Sequence, residues 1–293
     1  MTQSIVFDCS AFTHPGRRPH NEDAHGAHPE LGLFLVADGM GGHRGGAIAS
    51  QIAVRTVRET FRARLRRGIT HVPVAHPGAV SGGHDGRRAG EELLRLAIHR
   101  ANAAISIRGH GALERMGTTV AVVAVLGGRV IIGHVGDSRV YRLRAGTLEA
   151  LTRDHTLYGE MVAAGFPLVP GPQVDAYRST LTRALGRPEG IPDVRTEPLR
   201  DGDVFLVCSD GLVEPEPTVT SMIDMLARPP AEASRRLVNE ALQRGSSDNV
   251  TALVVAIHAR GHGGVRRESH DPQQLSLNQS AGIAAGERRW EAA

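Results

Sequence analysis

Three aspartates stand where predicted strands end or begin. Asp38 follows the apolar run 32–37 and precedes a glycine-rich turn, Asp210 follows the apolar run 204–208, and Asp248 comes just before the last apolar run of the chain. An Asp-Gly or Asp-Asn pair beside a strand is also ordinary turn chemistry, and for any one of these sites a turn is an equally good explanation. Three acids at strand ends can, however, meet at one edge of packed sheets, so the pattern predicts a rigid carboxylate cluster.

The segment Asn21-Glu22-Asp23 near the N-terminus adds two more carboxylates. Carboxylates without His or Cys partners are hard oxygen ligands, which suit Mg²⁺ or Mn²⁺ and serve zinc or copper poorly. Two such cations a few ångströms apart can share a bridging water and lower its pKa, which makes a nucleophile near neutral pH. At least one carboxylate must then contact both ions, and Asp38 is the candidate. The residues predict a hydrolytic site with two metal ions.

Hydrophobic patterning predicts the elements that position these acids. Apolar or β-branched runs favour strands, and apolar residues at helical spacing favour amphipathic helices. The predicted strands are 32–37, 118–126, 129–135, 140–144, 204–208 and 250–258, and the predicted helices are 47–65, 91–107, 221–227 and 231–243. Strands in antiparallel groups with helices segregated between them indicate an α+β layered domain rather than a parallel array.

Less regular segments complete the predicted organisation. Residues 68–88 are rich in Gly, His and Pro without periodicity and are interpreted as a surface insertion loop, and 153–190 are irregular with short helical pieces around Met161 and Thr180. The composition changes to Gly, Arg, Gln, Ser and Ala after the last strand. We therefore predict one domain over 1–258 and a disordered tail over 259–293.

Composition excludes several classes of protein. The chain has 34 basic and 31 acidic residues, every basic one is Arg, and only 3% are aromatic. Such scattered charge and few aromatics argue against nucleic-acid binding, and no apolar stretch is long enough for a membrane span. Cys9 and Cys208 cannot form a disulfide framework, and the N-terminus lacks the layout of a secretory signal. A cytoplasmic, monomeric enzyme without nucleic-acid or membrane partners is the expectation.

Seven short motifs occur in a characteristic order. They are RPHNEDA at 18–24, VADGMGGH at 36–43, MGTT at 116–119, VGDSRVY at 135–141, LTRALG at 181–186, CSDGL at 208–212 and SDNVT at 247–251. Together they strongly resemble the type 2C, metal-dependent serine/threonine protein phosphatases in their compact bacterial form, over roughly residues 5–258. One Asp-Gly would be weak evidence, whereas seven ordered motifs are specific.

The resemblance implies a four-layer α-β-β-α sandwich, in which two antiparallel sheets are flanked by helices and two Mn²⁺ or Mg²⁺ ions bind at one end. Asp38, Asp210 and Asp248 match the ligands of one ion. Glu22, Asp38 and the carbonyl of Gly39 match the surroundings of the other. The implied activity is hydrolysis of phosphoserine and phosphothreonine on proteins by a metal-activated water, which reverses serine/threonine kinase signalling.

Two further roles come with the resemblance. Asp23 matches an acid that positions metal-bound water. Arg18 matches the arginine that binds the substrate phosphate, a role that suits the two-pronged guanidinium, although a solvated surface arginine is its alternative. Residues 153–190 match the variable flap beside the active site.

Two positions depart from the family pattern. Met40 stands where animal relatives have a histidine suspected to be the general acid, and His43 three residues later is at least as well explained by a glycine-rich turn. Glu114 replaces the aspartate that holds a third metal in several bacterial relatives.

Two alternative functions remain open. A non-catalytic pseudophosphatase is the first, but the chain keeps Glu22, Asp38, Asp210 and Asp248. A phosphatase of small phosphate esters is the second.

Overall fold

Two five-stranded antiparallel sheets form the centre of the fold. The computed structural model describes residues 4–41, 45–66, 84–167, 171–214 and 217–260. Strands are numbered in chain order. The first sheet has the order β1 (Ser4–His14), β12 (Val250–Arg260), β11 (Val204–Cys208), β8 (Arg139–Arg144) and β9 (Thr147–Ala150). The second has the order β10 (Asp193–Pro198), β7 (Arg129–Val135), β6 (Val120–Leu126), β3 (Leu33–Ala37) and β2 (Ala24–His28).

A two-stranded ribbon and the helices complete the described fold. The ribbon pairs β4 (Gly39–Met40) with β5 (Gly117–Thr118). Two long helices, α1 (Gly45–Arg66) and α2 (His84–Arg108), pack on the second sheet, and α5 (Val219–Leu226) and α6 (Pro230–Gln243) pack on the first. Two short helices, α3 (Leu157–Ala163) and α4 (Pro172–Arg178), pack on each other inside the flap.

Three apolar layers hold these elements together. The middle layer lies between the sheets and includes Phe34, Val123, Phe205 and Leu253, all fully buried. Because strands such as β3 and β6 are covered on both faces, their residues form continuous apolar runs rather than alternating ones. The outer layers lie between each sheet and its own pair of long helices. The result is the predicted four-layer α-β-β-α sandwich.

Most predicted elements occur with shifted ends. The predicted helix 91–107 begins seven residues earlier, at His84, so residues 84–88 of the predicted insertion loop are helical instead. The last strand runs to Arg260, two residues beyond its predicted end. The remainder of the predicted insertion loop, 68–83, and the predicted disordered tail from 261 onward lie outside the described residues. Within the described ranges, no helix has both the length and the apolar character of a membrane span.

Candidate metal centre

Strand register brings the predicted acids to one edge of the sandwich. Cys208, at the end of β11, pairs with Arg139, at the start of β8, and with Ala252 near the start of β12. Asp210, Asp137 and Asp248 therefore lie at the same end of the first sheet, because each is one or two residues beyond these strand ends. In the second sheet Ala37, at the end of β3, pairs with Ala24, at the start of β2. The same arrangement places Asp38 beside Asp23.

Four acids form what we call the acidic cluster, Asp23, Asp38, Asp137 and Asp210. Burial raises the pKa of the Asp38 carboxyl well above its ordinary value, and the charges of Asp23, Asp210 and Asp137 add to this shift. Burial and the charge of Asp210 also raise the pKa of Asp137. The Asp38 and Asp210 side chains lie within hydrogen-bond distance of each other. Each of these acids is therefore disfavoured as a carboxylate mainly because it is buried, and the like charges of its neighbours add to the effect.

Asp23 is held by two hydroxyl groups from the first sheet. Its Oδ2 atom accepts hydrogen bonds from Ser209 Oγ at 2.8 Å and from Thr251 Oγ1 at 2.6 Å. Burial raises its pKa to about 6, although both hydroxyl bonds act in the opposite direction. Its Oδ1 atom is buried and has no hydrogen-bond partner. This fixed carboxyl group therefore keeps one buried oxygen without a hydrogen-bond partner close to Asp38 and Asp210.

Glu22 lies against the start of α1, where two glycines permit a close approach. A Cβ atom on Gly46 would come within 2.5 Å of the Glu22 carboxylate, and one on Gly39 within 2.2 Å of the Gly46 carbonyl oxygen. No side chain fits at either position without displacing backbone or carboxylate. Gly39 and Gly46 therefore allow the N-terminus of α1 to pack directly against Glu22.

Asn249 joins the N-terminal loop to the segment that carries Asp248. Its side-chain amide donates hydrogen bonds to the carbonyls of Pro15 and His20, and its Oδ1 accepts one from the backbone N–H of Glu22 at 2.7 Å. Asn249 is buried, so these bonds fix the loop that bears Arg18 and Glu22. Arg18 itself is exposed and donates a hydrogen bond from Nη2 to Asp248 Oδ2 at 2.8 Å.

The backbone of Asp38 is fixed by neighbouring hydroxyls. Its N–H donates to Thr119 Oγ1 at 3.0 Å, and its carbonyl accepts bonds from Thr118 Oγ1 and the Thr119 N–H. Thr119 Oγ1 also shares a 2.7 Å hydrogen bond with Ser138 Oγ. The two threonines of the MGTT motif thus orient Asp38, and through Ser138 they connect it to the segment that carries Asp137.

The donor set fits hard divalent cations. Two buried carboxylate oxygens, Asp23 Oδ1 and Asp210 Oδ1, have no hydrogen-bond partner. The Arg139 guanidinium, whose charge acts on Asp137 and Asp210, is already bound to both carboxylate oxygens of Asp154. Like charges gathered without a balancing cation are unfavourable, and an all-oxygen set matches Mg²⁺ or Mn²⁺. We conclude that the acidic cluster has the chemistry of a divalent-metal site.

The acidic cluster is nevertheless more open than a site closed around one ion. Among the described residues, the three side chains whose ligand atoms all lie within 4.8 Å of one another are His134, His155 and Asp193. Those residues lie at the base of the flap and not in the cluster. Sequence analysis did not single them out.

The other predicted site residues are placed as follows. Glu114 is exposed at the end of a 3₁₀ turn, outside the acidic cluster. Met40 is in β4, directly after Gly39, and His43 lies outside the described residues. The structure therefore brings Asp23, Asp38, Asp210 and their neighbours together, whereas it leaves Glu114 in solvent.

A cavity of about 500 Å³ opens beside the acidic cluster. Asp137 and Asp210 line one end of it, and the flap helices α3 and α4 line another side. Apolar side chains, among them Leu148, Val162 and Met222, line part of its wall. The acids are thus accessible from a cleft large enough for part of a peptide.

The fold and the acidic site define a class, and comparison with known proteins agrees. The chain belongs to the protein phosphatase 2C family, whose sequence model matches residues 13–254.

Individual relatives are bacterial. Serine/threonine protein phosphatase PstP of Mycobacterium tuberculosis is 32% identical over 278 residues, which cover 92% of this chain and 49% of PstP. Serine/threonine phosphatase stp of Listeria welshimeri is 33% identical over 247 residues, 81% of this chain and 90% of stp. The chain thus spans about half the length of PstP and most of stp.

Solved structures confirm the four-layer fold. A crystal structure of M. tuberculosis PstP superposes with a TM-score of 0.71 at 32% identity, covering 86% of this chain and 99% of that one. A structure of the PstP catalytic domain in complex with two manganese ions gives a TM-score of 0.67 at 31% identity, covering 87% and 99%. The likeness therefore extends to a relative that binds two metal ions.

Proposed function

We propose that this protein is a metal-dependent serine/threonine protein phosphatase that hydrolyses phosphoserine and phosphothreonine on proteins. The observation that carries the proposal is the acidic cluster, in which buried carboxyl groups raise one another's pKa and two of their oxygens lack hydrogen-bond partners beside an open cleft. Membership of the protein phosphatase 2C family and the names of the relatives support it.

The proposed ligand set follows the family pattern. Asp38, Asp210 and Asp248 would hold one Mn²⁺ or Mg²⁺ ion, and Glu22, Asp38 and the carbonyl of Gly39 would surround a second. When bound, two such ions supply Lewis acidity and a water of lowered pKa close to the phosphorus atom. The proposal uses two ions and no ligand from Glu114, which is exposed.

The chain's own residues then orient the reactants. Asp23, fixed by Ser209 and Thr251, presents its unpartnered oxygen to a water in the cluster and can accept a proton there. Arg18 donates to Asp248 here, and it would be released to bind the phosphate oxygens of the substrate if Asp248 held a cation instead. The fixed loop around Asn249 holds Arg18 within reach.

Two alternatives make different demands on the site. A non-catalytic binding module has no need for the acids, yet Glu22, Asp38, Asp210 and Asp248 are all retained. A phosphatase of small phosphate esters is disfavoured by the 500 Å³ cleft, which continues from the acids under the flap. We therefore favour phosphorylated proteins, substrates of serine/threonine kinases, as partners of a cytoplasmic, monomeric enzyme.

Hydrolysis of a phosphothreonine peptide tests the proposal. The purified chain, dialysed against chelator, should be inactive and should recover activity with added Mn²⁺ or Mg²⁺. A phosphotyrosine peptide and p-nitrophenyl phosphate serve as matched substrates, and kcat/KM should be highest for the phosphothreonine peptide. Full activity in excess chelator, or hydrolysis of the small ester alone, would contradict the proposal.

A further inference from the structure

Two stacked histidines lie at the base of the flap, outside the acidic cluster and next to the loop that carries Asp137. His134, in β7, is the cross-strand neighbour of Asp193, in β10. The His155 ring stacks on the His134 ring with centroids 4.4 Å apart and planes 22° apart. Both histidines are buried. The proposed reaction does not use these two buried, titratable rings. Their hydrogen bonds indicate another role.

The hydrogen bonds define one protonation state for His155. Its Nδ1 accepts a bond from the backbone N–H of Gly136 at 3.2 Å, so the proton of the neutral ring is on Nε2. Nε2 then donates to Asp193 Oδ2 at 3.2 Å. Asp193 Oδ1 accepts a second bond, from Arg183 Nη1 at 2.8 Å. The neutral ring thus satisfies both its nitrogens.

The same bonds argue against a metal ion at this place. The Arg183 guanidinium already balances the charge of Asp193, and a cation would have to displace it. The Nε2 of His134 is bound to the carbonyl of Arg153 at 2.7 Å. A nitrogen lone pair of histidine lies in the plane of its ring. Because the two stacked rings lie in separate and nearly parallel planes, a single ion cannot lie in the planes of both rings. The group is complete without a metal.

His155 connects three parts of the molecule. Its backbone N–H donates to the Gly136 carbonyl, and its carbonyl accepts a bond from the Thr182 N–H, on the returning side of the flap. Arg183, the residue after Thr182, donates a hydrogen bond to Asp193, which also accepts the bond from the His155 ring. Gly136 precedes the Asp137-Ser138 segment of the metal centre. Residue 155 therefore ties both ends of the flap to the loop beside the acids, through its backbone at Gly136 and Thr182 and through its side chain at Gly136 and Asp193.

We infer that neutral His155 is a positioning residue that holds the flap and the 136–138 loop in the arrangement that forms the cleft. This inference rests on the proposed phosphatase function for its kinetic consequences, although its structural part does not. Without the Nδ1 acceptor, the Gly136 N–H is buried and unpaired, which is costly. The flap base is then held to the loop by the backbone bonds of residue 155 without those of its side chain, and it opens more readily.

Protonation should have the same effect as loss of the ring. A proton on Nδ1 would face the Gly136 N–H donor, and the new positive charge would face Arg183. Burial lowers the pKa of His155, so it is neutral near pH 7 in the folded protein. As the pH falls below about 6.5, the ordinary histidine value, the closed flap base becomes less favourable. The charged or titratable groups around it are His134, Arg153, Asp154, Arg183 and Asp193, with Arg95 and Arg195 lining the adjoining cavity.

Two substitutions separate positioning from bulk. His155→Asn keeps an acceptor near the Nδ1 position and does not titrate, whereas His155→Phe keeps an aromatic ring and has no acceptor. His99→Phe, at an exposed position of α2, is the matched control. Hydrogen exchange of peptides covering Gly136 and 156–182 should be measured on the full chain from pH 5.5 to 8, with kcat and KM for a phosphothreonine peptide at saturating Mn²⁺.

We expect His155→Phe to exchange about tenfold faster in these peptides at pH 7.5 and to raise KM by a similar factor, because one buried hydrogen bond is lost. His155→Asn should restore both and should lack the acid-induced loosening that wild type shows. Unchanged flap exchange in His155→Phe, or an acid response that persists in His155→Asn, would overturn the inference. Should His155→Phe fail to fold, the comparison of His155→Asn with wild type decides alone. Exchange that behaves as expected in a chain without phosphatase activity would leave this inference standing and refute the proposed function instead.

Discussion

Asp203 and Asp210 flank the two ends of strand β11, and their surroundings are opposite. Asp203 is fully buried, accepts bonds from Arg144 Nε at 2.6 Å and Nη2 at 2.7 Å, and accepts a third from the Arg200 N–H. Asp210 has a buried oxygen without a partner and lies against Asp38 and Asp248. The Asp203 carboxylate is thus paired with a guanidinium, whereas among the described residues the Asp210 carboxylate has no ion pair of its own and lies against other acids. A buried acid that is paired with a guanidinium stabilises the fold. Buried acids that lie against one another instead indicate a binding site for a metal cation.

The largest effect expected from this comparison is on catalysis at the Asp210 end of the strand. Asp38→Asn removes the carboxylate proposed to contact both ions, so kcat for a phosphothreonine peptide should fall at least about a thousandfold. The backbone bonds of Asp38 to Thr118 and Thr119 do not involve the side chain, so the fold should remain. Steady-state kinetics at saturating Mn²⁺, with circular dichroism for the fold, check both statements. Wild-type kcat in this variant would refute the ligand assignment.

At the Asp203 end the expected effect is on stability. Arg144→Met leaves the Asp203 carboxylate buried without its cation, which should lower the free energy of unfolding by about 3–5 kcal/mol. Arg236→Met breaks an exposed ion pair with Glu232 and should cost about 1 kcal/mol or less. Urea unfolding of both variants measures the difference. If both variants lost the same free energy of unfolding, the buried Arg144–Asp203 pair would be no more important for stability than the exposed Arg236–Glu232 pair. That result would contradict the interpretation of Asp203 as an acid that depends on its guanidinium.

The pH dependence of the metal-free protein sharpens the comparison further. The pKa of Asp23 is raised to about 6 from an ordinary 3.8, so its contribution to stability is present at low pH and is lost as the pH rises through 6. In chelator, wild type should therefore melt at a lower temperature at pH 7 than at pH 5. In Asp23→Asn the melting temperature should fall less between pH 5 and pH 7. The loss in the free energy of unfolding over that pH range should be smaller than in wild type by at most about 3 kcal/mol. Thermal melts in chelator and in Mn²⁺ would test this, and a wild-type melting temperature that rises with pH in chelator would contradict it.

The smallest effect is expected at the exposed edge of the cluster. Arg18→Ala leaves the buried acids in place and removes a charge-assisted contact to phosphate worth about 1.5–3 kcal/mol. KM should rise by about 10- to 150-fold, with a smaller loss in kcat. Arg17→Ala, at the neighbouring position, is the control. Kinetics indistinguishable from wild type would make Arg18 a surface residue.

Much of the scaffold was predictable because its strands are covered on both faces. Continuous apolar runs marked β3, β6 and β11, and each was predicted within a few residues. The edge strands β2 and β9 are short and partly polar, and sequence analysis did not find them. The strand β1 was also missed, since its residues are mostly half-buried and show no strong pattern.

The acids of the site could be predicted from the sequence, whereas the residues that hold them in place by hydrogen bonds could not. Asp38 and Asp210 follow recognisable strands, and the family motifs named the rest. Asn249, Thr119 and Ser209 act through hydrogen bonds between segments far apart in sequence, which no local pattern reveals. Asp137 was not among the predicted site residues, because only the register of β8 against β11 places it at the acids. The Gly-Asp-Ser motif was the signal that could have found it.

The most direct test of the central claim is a titration of the metal-free protein with Mn²⁺, followed by calorimetry and by electron paramagnetic resonance of free Mn²⁺. Wild type should bind two ions, and Asp210→Asn should bind at least about tenfold more weakly. Asp203→Asn, at the other end of the same strand, should bind like wild type, with the exposed Glu149→Gln as a second control. Absence of saturable binding by wild type, or binding by Asp210→Asn that equals wild type, would contradict the account.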